Sequence, residues 1–306
     1  MFYYNSRMIS SRMAYYFFTF IIFLVLTACS AHKAVISSPT LTPSPVPEFN
    51  DTVIPDTFST VIKLESSPFS TGIAKNMVYQ VINQFPHDSG AFTEGLAIHN
   101  NVLYEATGIY GRSSIRKIDL ESGRIEKIRY LSDEYFGEGL AIIDEKIIWI
   151  TWQSNTGFVL DLNSFEVIDS FSYDHEGWGL AYDGYKLFMS DGSDIIHILE
   201  PDNFTETGTI HISDNGAPVE KINELEFIEG DLYANIWQTT FIAKIDPVSG
   251  NVTGWLDLTA LLEQFENIRH PVDVLNGIAY NNESKQIFIT GKYWPKVFEI
   301  EILTLD

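Results

Sequence analysis

The 306-residue chain reads as all-β, a five-bladed β-propeller closed by an N-terminal strand that completes the last blade, and three observations lead there. One short pattern recurs five times, as FTEGLAI (92–98), FGEGLAI (136–142), EGWGLAY (176–182), INELEF (222–227) and LNGIAY (275–280), at spacings of 44, 40, 45 and 53 residues. A second run trails each copy, with its aromatic in register at Tyr104, Trp149, Phe188, Tyr233 and Phe288. A third run ends on an acid beside a turn, at or next to Asp119, Asp161, Glu200, Asp246 and Glu301. Short runs rich in β-branched and aromatic residues, broken by Gly, Asn and Asp, are strands. Units of about 40–50 residues with three or four strands each are propeller blades. Against them stands only a helical turn or two around 258–265.

In chain order, Arg7 and Arg12 precede an apolar run from Ala14 to Ala28 that ends in Leu26-Thr27-Ala28-Cys29. A cationic start, an apolar stretch short of the roughly 20 residues a span needs, and small residues before a cut describe a secretory signal. The cysteine directly after them resembles a bacterial lipobox, so residues 1–28 read as a lipoprotein signal and Cys29 as the lipidation site. An uncleaved anchor helix is the alternative, and it places the body outside the membrane just the same. Residues 29–75 read as a tether rich in Ser, Thr and Pro, holding Pro39, Pro43, Pro45, Pro47, Pro55 and Pro68, because such a segment buries too little apolar surface to order itself. Residues 76–306 form the propeller. Its last unit stops after three strands, and VYQVINQF (78–85) supplies the fourth from the front, leaving no free edge.

Composition narrows the function. The chain carries 19 Lys plus Arg against 41 Asp plus Glu, a net charge of −22, which repels nucleic acid and anionic lipid surfaces. Cys29 is the sole cysteine, so disulfide frameworks, zinc fingers and iron–sulfur clusters are excluded. The seven histidines include no pair at zinc-ligand spacing, and there is no GxSxG elbow, P-loop or GxGxxG after a strand. DGSD (191–194) reads as a turn that leaves room for a structural Ca²⁺. No metal is assigned to the site.

In a repeat protein, residues that build the blade recur, and function shows as departure from the average. Two places before the Leu or Ile of each copy stand Glu94, Glu138, Trp178, Asn223 and Asn276, which converge on one axial opening. The ends of the second strands add Trp152, Trp237, Lys292 and Trp294. Four tryptophans, two carboxylates, two amides and a lysine at one mouth describe a pocket, although each has a plainer use: turn capping for Glu94 or Glu138, inter-blade packing for any one Trp, solvent for Lys292 and backbone pairing for the two Asn.

These residues, with the motifs FPHDSGAFTEGL, TGIYGRSSIRKIDLESG, YFGEGL, GWGLA, NELEF, ANIWQT, DVLNGIA and TGKYWPK, make residues 78–302 similar to the glutamine cyclotransferase family, the plant and bacterial type of glutaminyl-peptide cyclotransferase with a five-bladed propeller. The resemblance implies conversion of N-terminal glutamine in peptides or proteins to pyroglutamate with release of ammonia. It also fits the missing zinc ligands, since the animal type is an unrelated zinc protein. The α-amine attacks its own side-chain amide, so no enzyme nucleophile and no catalytic cofactor is required. The acid of the FGEGL motif falls on Glu138, expected to act as base toward the amine and acid toward departing ammonia. Asn223 and Lys292 match further catalytic positions and would orient the amide or stabilise an oxyanion. Phe136, Trp152, Trp178 and Trp237 match the family's aromatic pocket, with Glu94, Asn276 and Trp294 as further substrate-binding candidates. Glu94 departs from the family, which more often has Gln there.

A five-bladed glycosidase using Glu94 and Glu138 as its carboxylate pair, or a non-catalytic envelope propeller that binds peptides or glycans, are the rival readings. The expected setting is the bacterial cell envelope, with a monomeric body held outside the cytoplasm and in contact with the membrane through its lipid anchor alone.

Overall fold

The computed structural model describes residues 74–266 and 268–303, all within one compact unit that runs from Thr57 to Asp306. Residues 1–73, which include Cys29 and the segments read above as signal and tether, lie outside the described residues. Four strands build blade one: β2 (Thr93–His99), β3 (Val102–Thr107), β4 (Ser114–Asp119) and β5 (Arg124–Tyr130), preceded by β1 (Lys75–Pro86). Blade two is β6 (Gly137–Ile143), β7 (Lys146–Thr151), β8 (Thr156–Asp161) and β9 (Val167–Ser172). Blade three is β10 (Leu180–Tyr182), β11 (Leu187–Ser190), β12 (Ile195–Leu199) and β13 (Glu206–His211), followed by a two-residue ribbon of β14 (Ser213–Asp214) and β15 (Ala217–Pro218). Blade four is β16 (Ile222–Ile228), β17 (Asp231–Ile236), β18 (Phe241–Ile245) and β19 (Val252–Asp257), and a short helix α1 (Thr259–Glu263) leads toward blade five, β20 (Leu275–Asn281), β21 (Gln286–Gly291) and β22 (Lys296–Leu303).

Each blade is an antiparallel meander. The inner strands β2, β6, β10, β16 and β20 neighbour one another in ring order around the axis. Inner strands are buried at their start, whereas the outer strand β5 alternates exposed and half-buried residues along its length. Ring closure is as expected and goes one step further. Val78 to Pro86 of β1 pair antiparallel with β22, and Lys75, Asn76 and Met77 pair in parallel with Gly254, Trp255 and Leu256 of β19. The closing strand therefore stitches blade five to blade four and fuses their sheets into one of eight strands.

The core divides by interface. Five apolar clusters lie among the described residues, each shared by adjacent blades: Tyr104 and Ile115 meet Leu140 and Trp149, Ile148 meets Leu187 and Met189, Ile196 meets Leu225 and Trp255, Leu256 meets Ile278 and Phe298, and Phe288 meets Leu96 and Leu103. The aromatic registered in every second strand belongs to these inter-blade layers.

At the axis the backbones nearly touch. A Cβ on Gly139 would lie 2.6 Å from Leu180 N, and one on Gly179 would lie 2.1 Å from Asn223 O, so the glycine of the repeated motif is a steric requirement. Blade four breaks this rule with Glu224, whose Oε2 accepts the Ile278 N–H at 2.9 Å and whose Oε1 accepts the Leu96 N–H at 3.3 Å. This buried carboxyl ties blade four to blades five and one. Burial, with Glu226 nearby, pushes its pKa well above the usual range.

A second buried network fixes the entry to β2. Glu105 on β3 is fully buried and accepts from His87 Nε2 at 2.9 Å, Thr93 Oγ1 at 2.7 Å and Arg116 Nη1 at 3.4 Å, while His87 Nδ1 donates to Trp294 O at 2.7 Å. Burial alone would raise the Glu105 pKa, yet His87, Arg116 and the Thr93 hydroxyl outweigh it and hold it below the ordinary value. For His87, burial lowers the pKa but Glu105 and the Trp294 carbonyl outweigh it, so the imidazole stays protonated to higher pH than usual. The Glu105 contribution to stability is present above the unfolded carboxyl pKa of about 4.3 and lost as pH falls through its lowered folded value. The His87 contribution is present below about 6.5 and lost as pH rises through its raised folded value. Glu105→Gln takes the carboxylate from buried His87 and leaves Arg116 with the partly exposed Asp88 alone, 3.0 Å away. It is expected to cost about 3–5 kcal/mol, read as a lower urea midpoint at unchanged slope; a loss under about 1 kcal/mol would contradict this account.

Candidate active site

The residues that open onto the axis do so because the inner strands bulge there. Pairing between first and second strands slips between Thr93 and Gly95, Gly137 and Leu140, Ile222 and Leu225, and Leu275 and Ile278. Those slips release Glu94, Glu138, Asn223 and Asn276 from the ladder, the usual way in which a bulge re-aims a side chain. In blade three Trp178 lies just ahead of the short β10, tied by its N–H to Ser190 O at 2.9 Å.

A cavity of about 200 Å³ results, lined by Phe92, Glu94, Phe136, Glu138, Trp152, Trp178, Asn223, Trp237 and Lys292. Eight of the ten expected substrate-binding and catalytic residues thus come together. Asn276 stands behind them, buried, with its Nδ2 donating to Thr93 O at 2.9 Å and Glu94 Oε2 at 3.4 Å. Trp294 corrects the expectation. The chain turns after Lys292, with Tyr293 at a φ of 62° and the Trp294 N–H on Gly291 O, so the indole goes into the core. There it packs edge-on against Phe265 and donates to Asp273 O at 2.9 Å.

The charges are buried and few. Lys292 Nζ lies 2.7 Å from Glu94 Oε1 and 2.6 Å from Oε2, and 4.3 Å above the Phe92 ring. The Glu138 carboxyl lines the same cavity and feels the Glu94 charge. Burial raises the Glu138 pKa well above the ordinary value, and the neighbouring Glu94 charge raises it further against the pull of Lys292. Burial raises Glu94 too, although Lys292 opposes this. The proton of the pair therefore resides on Glu138, leaving lysine and Glu94 as a neutral ion pair. Asn223 presents a buried Oδ1 with no protein partner, an acceptor awaiting a ligand N–H.

The aromatic wall is held from behind. Glu176 Oε2 accepts Trp152 Nε1–H at 2.7 Å and Trp178 Nε1–H at 3.0 Å, and its Oε1 accepts Gln153 Nε2 at 2.9 Å. Partial burial would raise the Glu176 pKa, but these three N–H donors outweigh it and hold it low. Trp178 meets Trp237 edge-on at 5.4 Å, and Phe136 meets Trp152 at 5.7 Å. Gly108 and Gly192 leave room for these rings, since a Cβ would sit 2.4 Å from Phe136 and 2.6 Å from Trp178. Sequence reasoning missed Glu176, although it lies two residues before Trp178 inside a repeat copy, and Phe92, which opens the first copy at the place Phe136 occupies in the second.

Comparison with known proteins agrees with this site. A curated glutaminyl-peptide cyclotransferase of Arabidopsis thaliana is 40% identical over 226 residues, 73% of this chain and 71% of the relative. The crystal structure of a glutaminyl cyclase from Myxococcus xanthus superposes with a TM-score of 0.72 at 36% identity, covering 76% of this chain and 100% of that one. The family described as glutamine cyclotransferase matches residues 57–302, and with all five blades contributing side chains to one tryptophan-walled pocket, the chain belongs to that family.

Proposed function

We propose that this pocket folds the N-terminal glutamine of a peptide onto itself and that Glu138 moves the protons of the cyclisation. The activity is conversion of N-terminal glutamine to pyroglutamate with release of ammonia. The observation that carries the reading is the pair of buried carboxyls, Glu94 and Glu138, lining one cavity with the buried Lys292.

Without substrate, Lys292, ionised Glu94 and protonated Glu138 sum to zero charge. A substrate ammonium, with a pKa of about 7.7–8.0, can enter as Glu138 gives its proton to solvent, which keeps the pocket neutral. Glu138 then takes a proton from the ammonium and frees the amine next to its own side-chain amide. The amine attacks the amide carbon, and the resulting oxyanion lies within reach of the Lys292 charge in a water-poor cavity. Glu138 donates its proton to the leaving nitrogen, the C–N bond breaks and ammonia departs. The carboxylate then recovers a proton from the ring nitrogen, so the proton count closes. Asn223 Oδ1 is a ready acceptor for the amide or amine N–H, and the indoles and Phe136 exclude water and favour the compact ring geometry.

The glycosidase reading is opposed by two observations. Lys292 pairs with Glu94 at 2.6–2.7 Å and Asn223 presents an unpartnered acceptor, neither of which a glycosidase carboxylate pair calls for. The cavity of about 200 Å³ also suits a single residue better than an extended glycan, being below the range of roughly 300–1,000 Å³ usual for larger ligands. The arginine-bearing apolar segment before Cys29 supports placing the enzyme at the bacterial cell envelope, lipid-anchored and facing away from the cytoplasm.

Incubating the full chain with a Gln-initiated peptide is expected to remove one ammonia by mass; an unchanged peptide would refute the reading. Glu138→Gln is expected to lower turnover by about 10²- to 10⁴-fold with an unchanged circular dichroism spectrum, and wild-type turnover would take the proton-transfer role from Glu138. Glu94→Gln removes the charge that raises the Glu138 pKa and releases Lys292 from its partner, both of which favour ionised Glu138. The acid limb of kcat/KM is therefore expected to move to lower pH, and a limb that stays in place or moves up would show that Glu138 does not set it.

A further inference from the structure

We propose that a groove between blades four and five, beside the catalytic mouth, receives the peptide residues that follow the N-terminal glutamine and selects basic side chains among them. The proposal rests on the cyclisation reading, which supplies the occupant. The catalytic cavity of about 200 Å³ suits one residue, so the rest of the peptide has to leave through the mouth. A groove of about 680 Å³ lies next to it, lined by residues 238–241, by α1 with the turn that follows it, and by residues 272–274 ahead of β20. The antiparallel meander puts the end of β17, the end of β19 and the start of β20 on one face, the face on which Trp237 and Lys292 open into the pocket.

Groove and pocket share a wall. Gln238 directly follows Trp237, and the Asp273 N–H donates to Lys292 O at 2.9 Å while the Lys292 N–H donates to Val274 O at 2.9 Å. Burial is the main cause that raises the Glu94 pKa, and the Asp273 charge raises it further, so the groove's carboxylate is within electrostatic reach of the pocket. The walls are also fixed in place. Thr240 Oγ1 and Thr259 Oγ1 share a hydrogen bond of 2.6 Å, and the Leu258 N–H donates to Thr240 O at 2.9 Å, which ties the α1 segment to the β17–β18 connection. On the other side Trp294 donates to Asp273 O at 2.9 Å and packs against Phe265, so the indole absent from the mouth braces the groove.

The lining names the chemistry of the occupant. Phe241, Leu262, Val272 and Val274 give a half-buried apolar floor, and Glu263, Glu266 and Asp273 stand exposed along it with no Lys or Arg in the lining. Lys221 bonds Gln238 Oε1 at 2.7 Å and lies over the Trp237 ring, which keeps its charge at the end beside the pocket. Acids above an apolar floor match Lys or Arg, whose stems cover apolar surface while the charged head stays in water beside a carboxylate. Exposed pairs of this kind are individually weak, so they rank peptides without being needed for turnover.

The test gives the full chain two Gln-initiated peptides of equal length, one with Lys at the second and third positions and one with Glu there. At low ionic strength kcat/KM is expected to be about tenfold higher for the Lys peptide, through KM, and the ratio to fall toward one near 1 M salt, where charges act over only about 3 Å. Glu263→Gln/Glu266→Gln should lower the ratio by about threefold or more, whereas Glu121→Gln/Glu283→Gln, which removes the same charge from exposed turns at the other end of the blades, should keep it. Calorimetric binding of both peptides to the Glu138→Gln protein separates the groove from the chemistry. A lysine preference in binding, with no ammonia released by the wild type, would uphold the groove and refute cyclisation; cyclisation of both peptides at equal kcat/KM would uphold cyclisation and overturn the groove. A ratio that the groove variant leaves unchanged would overturn it as well. So would a ratio that both double variants lower equally, which would assign the preference to the net charge of −22 acting at a distance.

Discussion

The structure depends on what happens where five inner strands meet. Their backbones approach so closely that four of the five copies carry glycine at the contact, and the ladder breaks in the same place. A broken ladder leaves backbone groups unpaired in a dry hub, which is costly unless side chains take them up. Here buried polar residues do so: Asn276 serves Thr93 O, Asn235 serves Gly277 N, Ser190 bridges Gly179 N to Asn223 O, and Glu224 accepts from two blades at once. The irregularity that would weaken an ordinary sheet is thereby turned to directing Glu94, Glu138 and Asn223 into one opening, with Asn276 behind them.

The same dryness sets the electrostatics. A carboxyl in water ionises near 4; in this hub it does so only beside a compensating cation, and one lysine serves two carboxyls. The surplus carboxyl retains a proton until a cation arrives with the ligand. Affinity for an ammonium and the capacity to deprotonate it are then two aspects of one charge balance, and neither requires a nucleophile or a metal at the reacting atoms. Glu224, deeper in the hub, lacks a lysine and is occupied by backbone N–H groups, which separates a structural carboxyl from a reactive one a short way along the same axis.

Much of this was legible in the chain, because repetition exposes departures. Blade number, the closing strand and seven pocket residues follow from aligning five copies, since register in sequence becomes register around the axis; Phe136 came from the family resemblance. The failures have physical causes. Trp294 was placed at the mouth by counting along a strand, but a residue at positive φ ends strand geometry and sends the indole into the core. Glu224 is the one acid among the glycines of the five copies, and its role stays hidden because the pocket-facing position is the residue before it. Glu176 required knowing how the segment ahead of β10 folds back, and loop conformation carries no period to read.

Glu94 shows how a second carboxylate can serve this site rather than disable it. A neutral amide in its place would leave Lys292 free to compensate Glu138 directly, and that carboxyl would then ionise without waiting for substrate. With a carboxylate there, Lys292 is engaged at 2.6 Å and Glu138 is held in its protonated form. The exchange leaves the reaction's proton count unchanged while moving the pH at which the resting enzyme is ready. Position 94 is thus a tuning position, and its effect travels through a lysine both carboxyls share.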